Sequence, residues 1–216
     1  VDESMRYFNE VYQMLEVLLT SDDIMGESSY HHLLPVVVER LSEQGMLEES
    51  EGAQVVYPGG WINREGEPMP VIIAKADGAY NYATTDLACI IDRVERLGCD
   101  DLLYVVGTPQ TQHFKMVFEV AQQAGFMDDS HNTVHVNFGS VMDSDGKIMK
   151  SRGGKVIKLV DLLKEAISRA KQAIAEKNPE LHEAQRDEVA KAIGIGAVKY
   201  ADLSTERTKD YVFDWD

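Results

Sequence analysis

The sequence predicts an α/β fold, and three observations predict it. Beyond residue 85, strand-like and helix-like segments alternate, which implies a parallel sheet joined by right-handed crossovers. Within that stretch Leu102-Leu103-Tyr104-Val105-Val106 is a continuous apolar run, the pattern of a buried parallel strand. Residues 53–84 differ: short apolar runs there are broken by Gly and Pro, which reads as an antiparallel patch.

Each element follows from its local pattern. Met5, Phe8, Val11, Tyr12, Leu15, Leu18 and Leu19 recur at helical spacing, so a helix is expected over residues 3–19 with Ser4 as its N-cap. Asp22 to Ser29 is a polar loop around Gly26. A second helix starts in Leu33–Leu41, where Pro35 fits only the first turn, and Gly45 closes it. Gln54–Tyr57 and Val71–Ala74 read as strands, and Asp77-Gly78 as a hairpin turn leading to Tyr80–Ala83. Asp86–Leu97 is helical, with Thr84 or Thr85 as its cap. Gln110–Ala124 forms a helix stopped by Gly125, and Val134–Phe138 a strand. A short strand is expected at Val156–Leu159, followed by helices over Asp161–Glu176 and Arg186–Leu203.

Composition narrows the function. With 21 Lys+Arg against 37 Asp+Glu, the net charge of −16 disfavours a protein whose main task is gripping phosphate backbones. A hydrophobic share of 44% argues against disorder. No apolar run approaches ~18 residues, so no membrane-spanning helix is expected. Two cysteines, Cys89 and Cys99, are too few for a disulfide scaffold, which makes a reducing cytoplasm the expected setting. The chain starts at Val1 rather than Met, so it is expected to be a piece of something longer.

The common phosphate and metal motifs fail. Six residues separate Gly139 from Gly146, and Ile148 follows Lys147, which excludes a Walker A loop. Gly194-Ile195-Gly196 lacks the third glycine of a dinucleotide fingerprint. Asp143-Ser144-Asp145-Gly146 reads as a hairpin turn, since Gly154 stands where a calcium loop needs Glu. The six histidines show no metal-binding spacing, so no metal ligands are assigned.

Two clusters remain. Lys147-Ile148-Met149-Lys150-Ser151-Arg152-Gly153-Gly154 gathers cations, a hydroxyl and glycines, which suits a mobile loop donating to a polyphosphate or a plain solvated basic loop. Tyr82-Ala83-Thr84-Thr85-Asp86 crosses a strand-to-helix junction. It reads either as ordinary helix capping or as a carboxylate beside an aromatic face, the surroundings a guanidinium needs.

Taken together, several segments resemble the arginyl-tRNA synthetases, a family of class I aminoacyl-tRNA synthetases. They are Ile24-Met25-Gly26-Glu27-Ser28, Tyr82 through Ala88, Tyr104-Val105-Val106 with Gln110-Thr111-Gln112-His113-Phe114, and His135 through Val141. Lys150 through Val156, Val198 through Ser204, Arg207, Asp210-Tyr211 and Phe213 through Asp216 complete the set, in order along the whole chain. The resemblance implies that Tyr82, Asp86 and Gln110 hold substrate arginine and that Glu27 helps fix its guanidinium. His113 would face the nucleotide, and the backbone of Gly139, Ser140 and Val141 would read adenine. The basic loop would be the family's KMSKS loop, with Lys150 and then Lys147 as catalytic residues and Ser151 and Arg152 beside ATP. Two registers against that motif stay open.

The resemblance implies an arginine–tRNA ligase using ATP with Mg²⁺ as a substrate complex, no permanently bound cofactor, and arginine, ATP and tRNA(Arg) as partners, with no membrane. The 216 residues contain no His-x-Gly-His tetrad, so they would be the C-terminal half of a Rossmann-like class I catalytic domain. Residues 53–84 would be its antiparallel insertion, 85–160 the Rossmann-like half, and 161–216 a helical region leading to an anticodon-binding domain. Alone, such a piece is expected to be inactive and to self-associate. A non-catalytic arginine- or nucleotide-binding module is the alternative.

Overall fold

The structure is a computed structural model that describes residues 2–142 and 158–212. Its helices are α1 (Asp2–Leu15), α2 (Leu34–Glu43), α3 (Tyr82–Ile91), α4 (Thr111–Gln123), α5 (Leu159–Lys177) and α6 (Glu183–Ser204). Its strands are β1 (Glu48–Ser50), β2 (Ala53–Val56), β3 (Val71–Ala74), β4 (Asp101–Gly107), β5 (Asn132–Phe138), β6 (Val141–Met142) and β7 (Tyr211–Val212). Contacts divide the chain into two compact units. One comprises Met25–Phe138, the other Val1–Ile24 with Gly139–Asp216.

In the unit Met25–Phe138, β1, β2 and β3 form an antiparallel sheet. Glu51 and Gly52, both at positive φ (52° and 78°), close the two-residue β1–β2 turn. The β1 strand itself went unread, because an acidic Glu48-Glu49-Ser50 edge carries no apolar alternation. Val37, Leu41, Val55, Val56, Ile73, Leu87, Ile90, Val117 and Val120 are all but inaccessible to solvent and fill the core.

Two expectations need correcting here. Tyr80–Ala83 is not a strand: Tyr80 makes one bridge to Ala74, then Asn81 starts α3. The cap of α3 is Asn81, whose Oδ1 accepts from the Tyr82 N–H at 2.9 Å, rather than Thr84 or Thr85. Thr84 is instead fully buried, and its hydroxyl donates to the Ile73 carbonyl at 2.5 Å, tying α3 to β3. The helix also changes character at Asp92–Arg96, a π-helical turn. Asp92 is buried there in a two-pronged pair with Arg96 (2.6 and 2.7 Å), which holds its carboxyl below the usual range.

The β4 and β5 strands run parallel, in register from Asp101↔Asn132 to Gly107↔Phe138, with α4 between them in sequence. The apolar run in β4 is not buried on both faces. Leu102 and Tyr104 are covered, Tyr104 packing on Phe114 and Phe118 of α4. Leu103 and Val105 are 61% and 67% exposed, so the opposite face is open among the described residues.

In the other unit, α1 is shorter than its apolar spacing predicts. It stops at Leu15 because Glu16 turns to a left-handed φ of 55°, with Val17 N–H donating to Tyr12 O (2.9 Å) and Glu16 N–H to Gln13 O (3.4 Å). That closing pattern usually takes glycine. It leaves Leu18 outside the helix and 94% exposed. Ser4 lies inside the first turn rather than capping it. Lys164 of α5 pairs with Glu10 of α1 at 2.9 Å.

The α5 and α6 helices pack closely, with Gly194 at the crossing. The strand expected at Val156–Leu159 is not one at its described end, since Lys158 caps α5 and Leu159 is already helical. Val156 and Ile157 lie outside the described residues. The β6 and β7 strands pair in parallel, Val141 with Tyr211 and Met142 with Val212.

Candidate functional site

The first candidate site lies where the N-terminal ends of α3 and α4 come together. Asn81 fixes the start of α3, so Tyr82 and Asp86 (i and i+4) share one helix face. In α4, Gln110 holds the N-cap position and His113 lies one turn further on. His113 Nε2 meets Asp86 Oδ2 at 2.6 Å. The carboxylate can only accept, so Nε2 is the donor.

The Tyr82 ring sits edge-on to the His113 ring, with centroids 4.8 Å apart. Phe114 and His135 extend this aromatic wall, and His135 Nε2 donates to the Val106 carbonyl at 2.9 Å. The Asp86 side chain is 26% exposed and that of His113 17%, while Tyr82 is 63% exposed. The result is a half-buried carboxylate with one oxygen engaged, walled by aromatic rings and open on one side.

Beneath it, Cys89 follows Asp86 by one turn. Burial pushes its thiol up to about 11, which makes it an unreactive packing group. Tyr104 lies deeper, with the Arg93 guanidinium 4.8 Å from its ring centre, and burial raises its phenol further still.

The structure thus gathers Tyr82, Asp86 and His113, with Gln110 one turn before His113 on α4. It turns His113 toward the carboxylate and ring that the sequence assigned to arginine. Glu27 begins the 3-10 run Glu27–Leu33 in the same unit, exposed, and has no hydrogen bond to this group. The Asp86–His113 pair was missed. His113 was visible as a candidate, but nothing local to either helix announces a contact across 27 residues.

The second candidate segment, Gly139-Ser140-Val141, belongs to the other unit. Gly139 N–H donates to the Arg207 carbonyl at 2.9 Å, and Ser140 N–H to Asp210 Oδ1 at 2.5 Å. Two of the three backbone donors are therefore engaged by residues 207–210. Lys147, Lys150, Ser151 and Arg152 lie outside the described residues. Among the described residues, no group of His, Cys, Asp and Glu side chains is placed to hold a metal ion, and no helix is long and apolar enough to cross a membrane.

Comparison with known proteins defines the class first. Residues 1–215 match the family described as class I tRNA synthetases (R), catalytic domain. The arginine–tRNA ligases of Thermobifida fusca and Yersinia enterocolitica are 47% and 49% identical to the chain over 216 residues. They align with all of the chain but with 37% and 38% of their own lengths, so the chain spans little more than a third of these relatives.

Among solved structures, the arginyl-tRNA synthetase of Plasmodium falciparum superposes with a TM-score of 0.83 at 27% identity. It covers the whole chain and 34% of its own length. The Thermus thermophilus arginyl-tRNA synthetase, at 19% identity, shares the fold with a TM-score of 0.69 over 84% of the chain and 35% of its own. The chain belongs to the arginyl-tRNA synthetase family and has its mixed helix-and-sheet class I catalytic domain.

Proposed function

We propose that the chain is part of an arginine–tRNA ligase that activates arginine with ATP and transfers it to tRNA(Arg). The observation that carries this reading is the Tyr82–Asp86–His113 group, found in a chain that belongs to the family along its whole length. In this reading Asp86 Oδ2 rests on His113 and Oδ1 meets the arginine guanidinium. A guanidinium offers a planar fork of donors and also stacks on aromatic faces, so Tyr82 supplies the second kind of contact. Gln110 adds an amide oxygen from the start of α4, and Glu27 a second carboxylate.

The arginine carboxylate would then attack the α-phosphorus of ATP in line, forming arginyl-adenylate and releasing pyrophosphate. A terminal ribose hydroxyl of the tRNA would attack the mixed anhydride, releasing AMP. Mg²⁺ arrives with ATP as part of the substrate. The protein's task is positioning and charge stabilisation. Gly139, Ser140 and Val141 would present backbone to adenine. With two N–H groups taken up by Arg207 and Asp210, Val141 is the residue left to read the base edge. Ser151 and Arg152 would lie beside ATP.

Arginine-dependent ATP–pyrophosphate exchange by the complete ligase, measured with and without tRNA(Arg), tests this reading. Exchange that ignores arginine, or responds to another amino acid instead, overturns it.

The finer architecture is also proposed. The parallel β4–α4–β5 unit supports a Rossmann-like half over 85–160, and the antiparallel β1–β2–β3 sheet supports an insertion over 53–84. Residues 161–216 would form the helical region leading to an anticodon-binding domain. Leu103, Val105 and Phe138 expose an apolar sheet face, which supports self-association of the isolated chain. The reaction is placed in the cytoplasm, where its tRNA substrate is used.

Lys150 and Lys147 are proposed as the catalytic lysines of the KMSKS-like loop. Replacing Lys150 by Ala in the complete ligase should slow arginyl-adenylate formation more than it weakens ATP binding. The pyrophosphate charge that Lys150 would meet grows only toward the transition state. Single-turnover exchange separates the two effects. A mutant that loses ATP affinity while kcat stays unchanged would make Lys150 a ground-state clamp instead.

A further inference from the structure

We propose that Asp210 is a positioning residue that sets the adenine-reading segment 139–141 through a hydrogen bond to its backbone. This rests on the proposed nucleotide role of that segment.

Among the described residues the segment ends in β6, where Val141 and Met142 pair with Tyr211 and Val212. Its shape is imposed by a stretch 70 residues further along the chain. Gly139 N–H donates to Arg207 O at 2.9 Å, and Tyr211 N–H donates to Ser140 O at 3.2 Å. Between these two backbone bonds, Asp210 Oδ1 accepts the Ser140 N–H at 2.5 Å. It is the one side chain among these three contacts.

The approach is so close that Gly139 has no room for a Cβ. One built there would collide with the Lys209 carbonyl and lie 2.8 Å from the Asp210 nitrogen. Glycine at 139 is therefore a steric requirement of the contact with residues 209–210. With Gly139 and Ser140 fixed in this way, the peptide of Val141 has its direction set before any nucleotide arrives. Asp210 itself is exposed and outside the adenine-reading segment, so it acts through Ser140.

In the complete ligase, Asp210→Ala should raise the ATP KM about 3- to 10-fold, the span of one ordinary net hydrogen bond. The preference for ATP over inosine triphosphate should fall, because the base edge is then met by a looser peptide. The arginine KM should stay at its wild-type value. Asp210→Asn keeps an acceptor oxygen at the same place and should restore both the ATP KM and the base preference.

An unchanged ATP KM and base preference in Asp210→Ala would overturn the proposal. So would equal losses in Asp210→Asn, which would mean that charge rather than the bond to Ser140 matters. A matching rise in the arginine KM with a lowered melting temperature would also overturn it, by reducing Asp210 to a general structural group. Wild-type enzyme that shows no arginine-dependent exchange even with tRNA(Arg) present would instead remove the ligase reading itself, so the two failures are distinguishable.

Discussion

Asp86→Asn in the complete ligase is expected to lower kcat/KM for arginine by ~30- to ~1000-fold, the equivalent of roughly 2–4 kcal/mol for a charged hydrogen bond lost in a partly buried site. The substitution is nearly isosteric, so α3 and its Asn81 cap should be untouched. Two changes follow at the site. The negative charge facing the guanidinium disappears, and the amide must orient its single oxygen toward either His113 or the substrate. In the native protein the two carboxylate oxygens let Asp86 serve both, with Oδ2 on His113 at 2.6 Å. Binding of ATP should change little. Arginine kinetics that stay at wild-type values in Asp86→Asn would remove Asp86 from the site. A loss confined to ATP would move it to the nucleotide side.

How far the sequence foretells this molecule depends on where each determinant lies along the chain. Helices with a clear apolar period were legible: α2, α4 and α5 lie where the spacing of apolar residues puts them, and α6 covers the long helix expected over 186–203. Boundaries were less so, because they depend on single backbone conformations. Glu16 ends α1 at a φ where glycine is the usual signal, so nothing at that position advertised the stop. At α3 the cap was expected at Thr84 or Thr85, whereas Asn81, one residue before Tyr82, caps the helix. Only the fold reveals that Thr84 spends its hydroxyl on Ile73, 11 residues back.

Strands with no apolar alternation, such as β1, have no local signature at all. The same holds for the candidate site. That Tyr82 and Asp86 share one helix face was not legible either, since the sequence expects Tyr82 on the strand side of the junction, whereas α3 begins at Tyr82. The meeting of Asp86 with His113, and of Ser140 with Asp210, spans 27 and 70 residues and exists only once the chain has folded.

The last expectation concerns the helix pair that leads into residues 207–211, and it sets two glycines of the same helix against each other. Gly194 and Gly196 both lie inside α6, where glycine costs about 0.5–1 kcal/mol relative to alanine. On intrinsic preference alone, each Gly→Ala change should stabilise the protein. The packing separates them. A Cβ at Gly194 would lie 2.7 Å from the Ile167 Cα and nitrogen and 2.9 Å from the Ala166 carbonyl carbon, all backbone atoms of α5. No rotamer change can relieve that approach, so α5 and α6 must move apart. Overpacking of this kind typically costs about 1–3 kcal/mol, which exceeds the propensity gain. Around Gly196 there is nothing within 4 Å, so alanine meets open space there.

Gly194→Ala should therefore lower the melting temperature by several degrees and Gly196→Ala should raise it slightly, since about 1 kcal/mol moves Tm by roughly 2–4 °C in a protein of this size. Gly194→Val should be worse than Gly194→Ala, because a β-branched side chain adds atoms to the same collision. Thermal melts of the three variants beside the wild type decide the matter. If Gly194→Ala stabilises as much as Gly196→Ala, the two helices do not touch at this crossing. Because α6 runs directly into the residues that hold Gly139 and Ser140, a displaced α6 should also raise the ATP KM of the complete ligase. That rise would come with a lowered melting temperature, the opposite of the clean kinetic effect expected for Asp210→Ala.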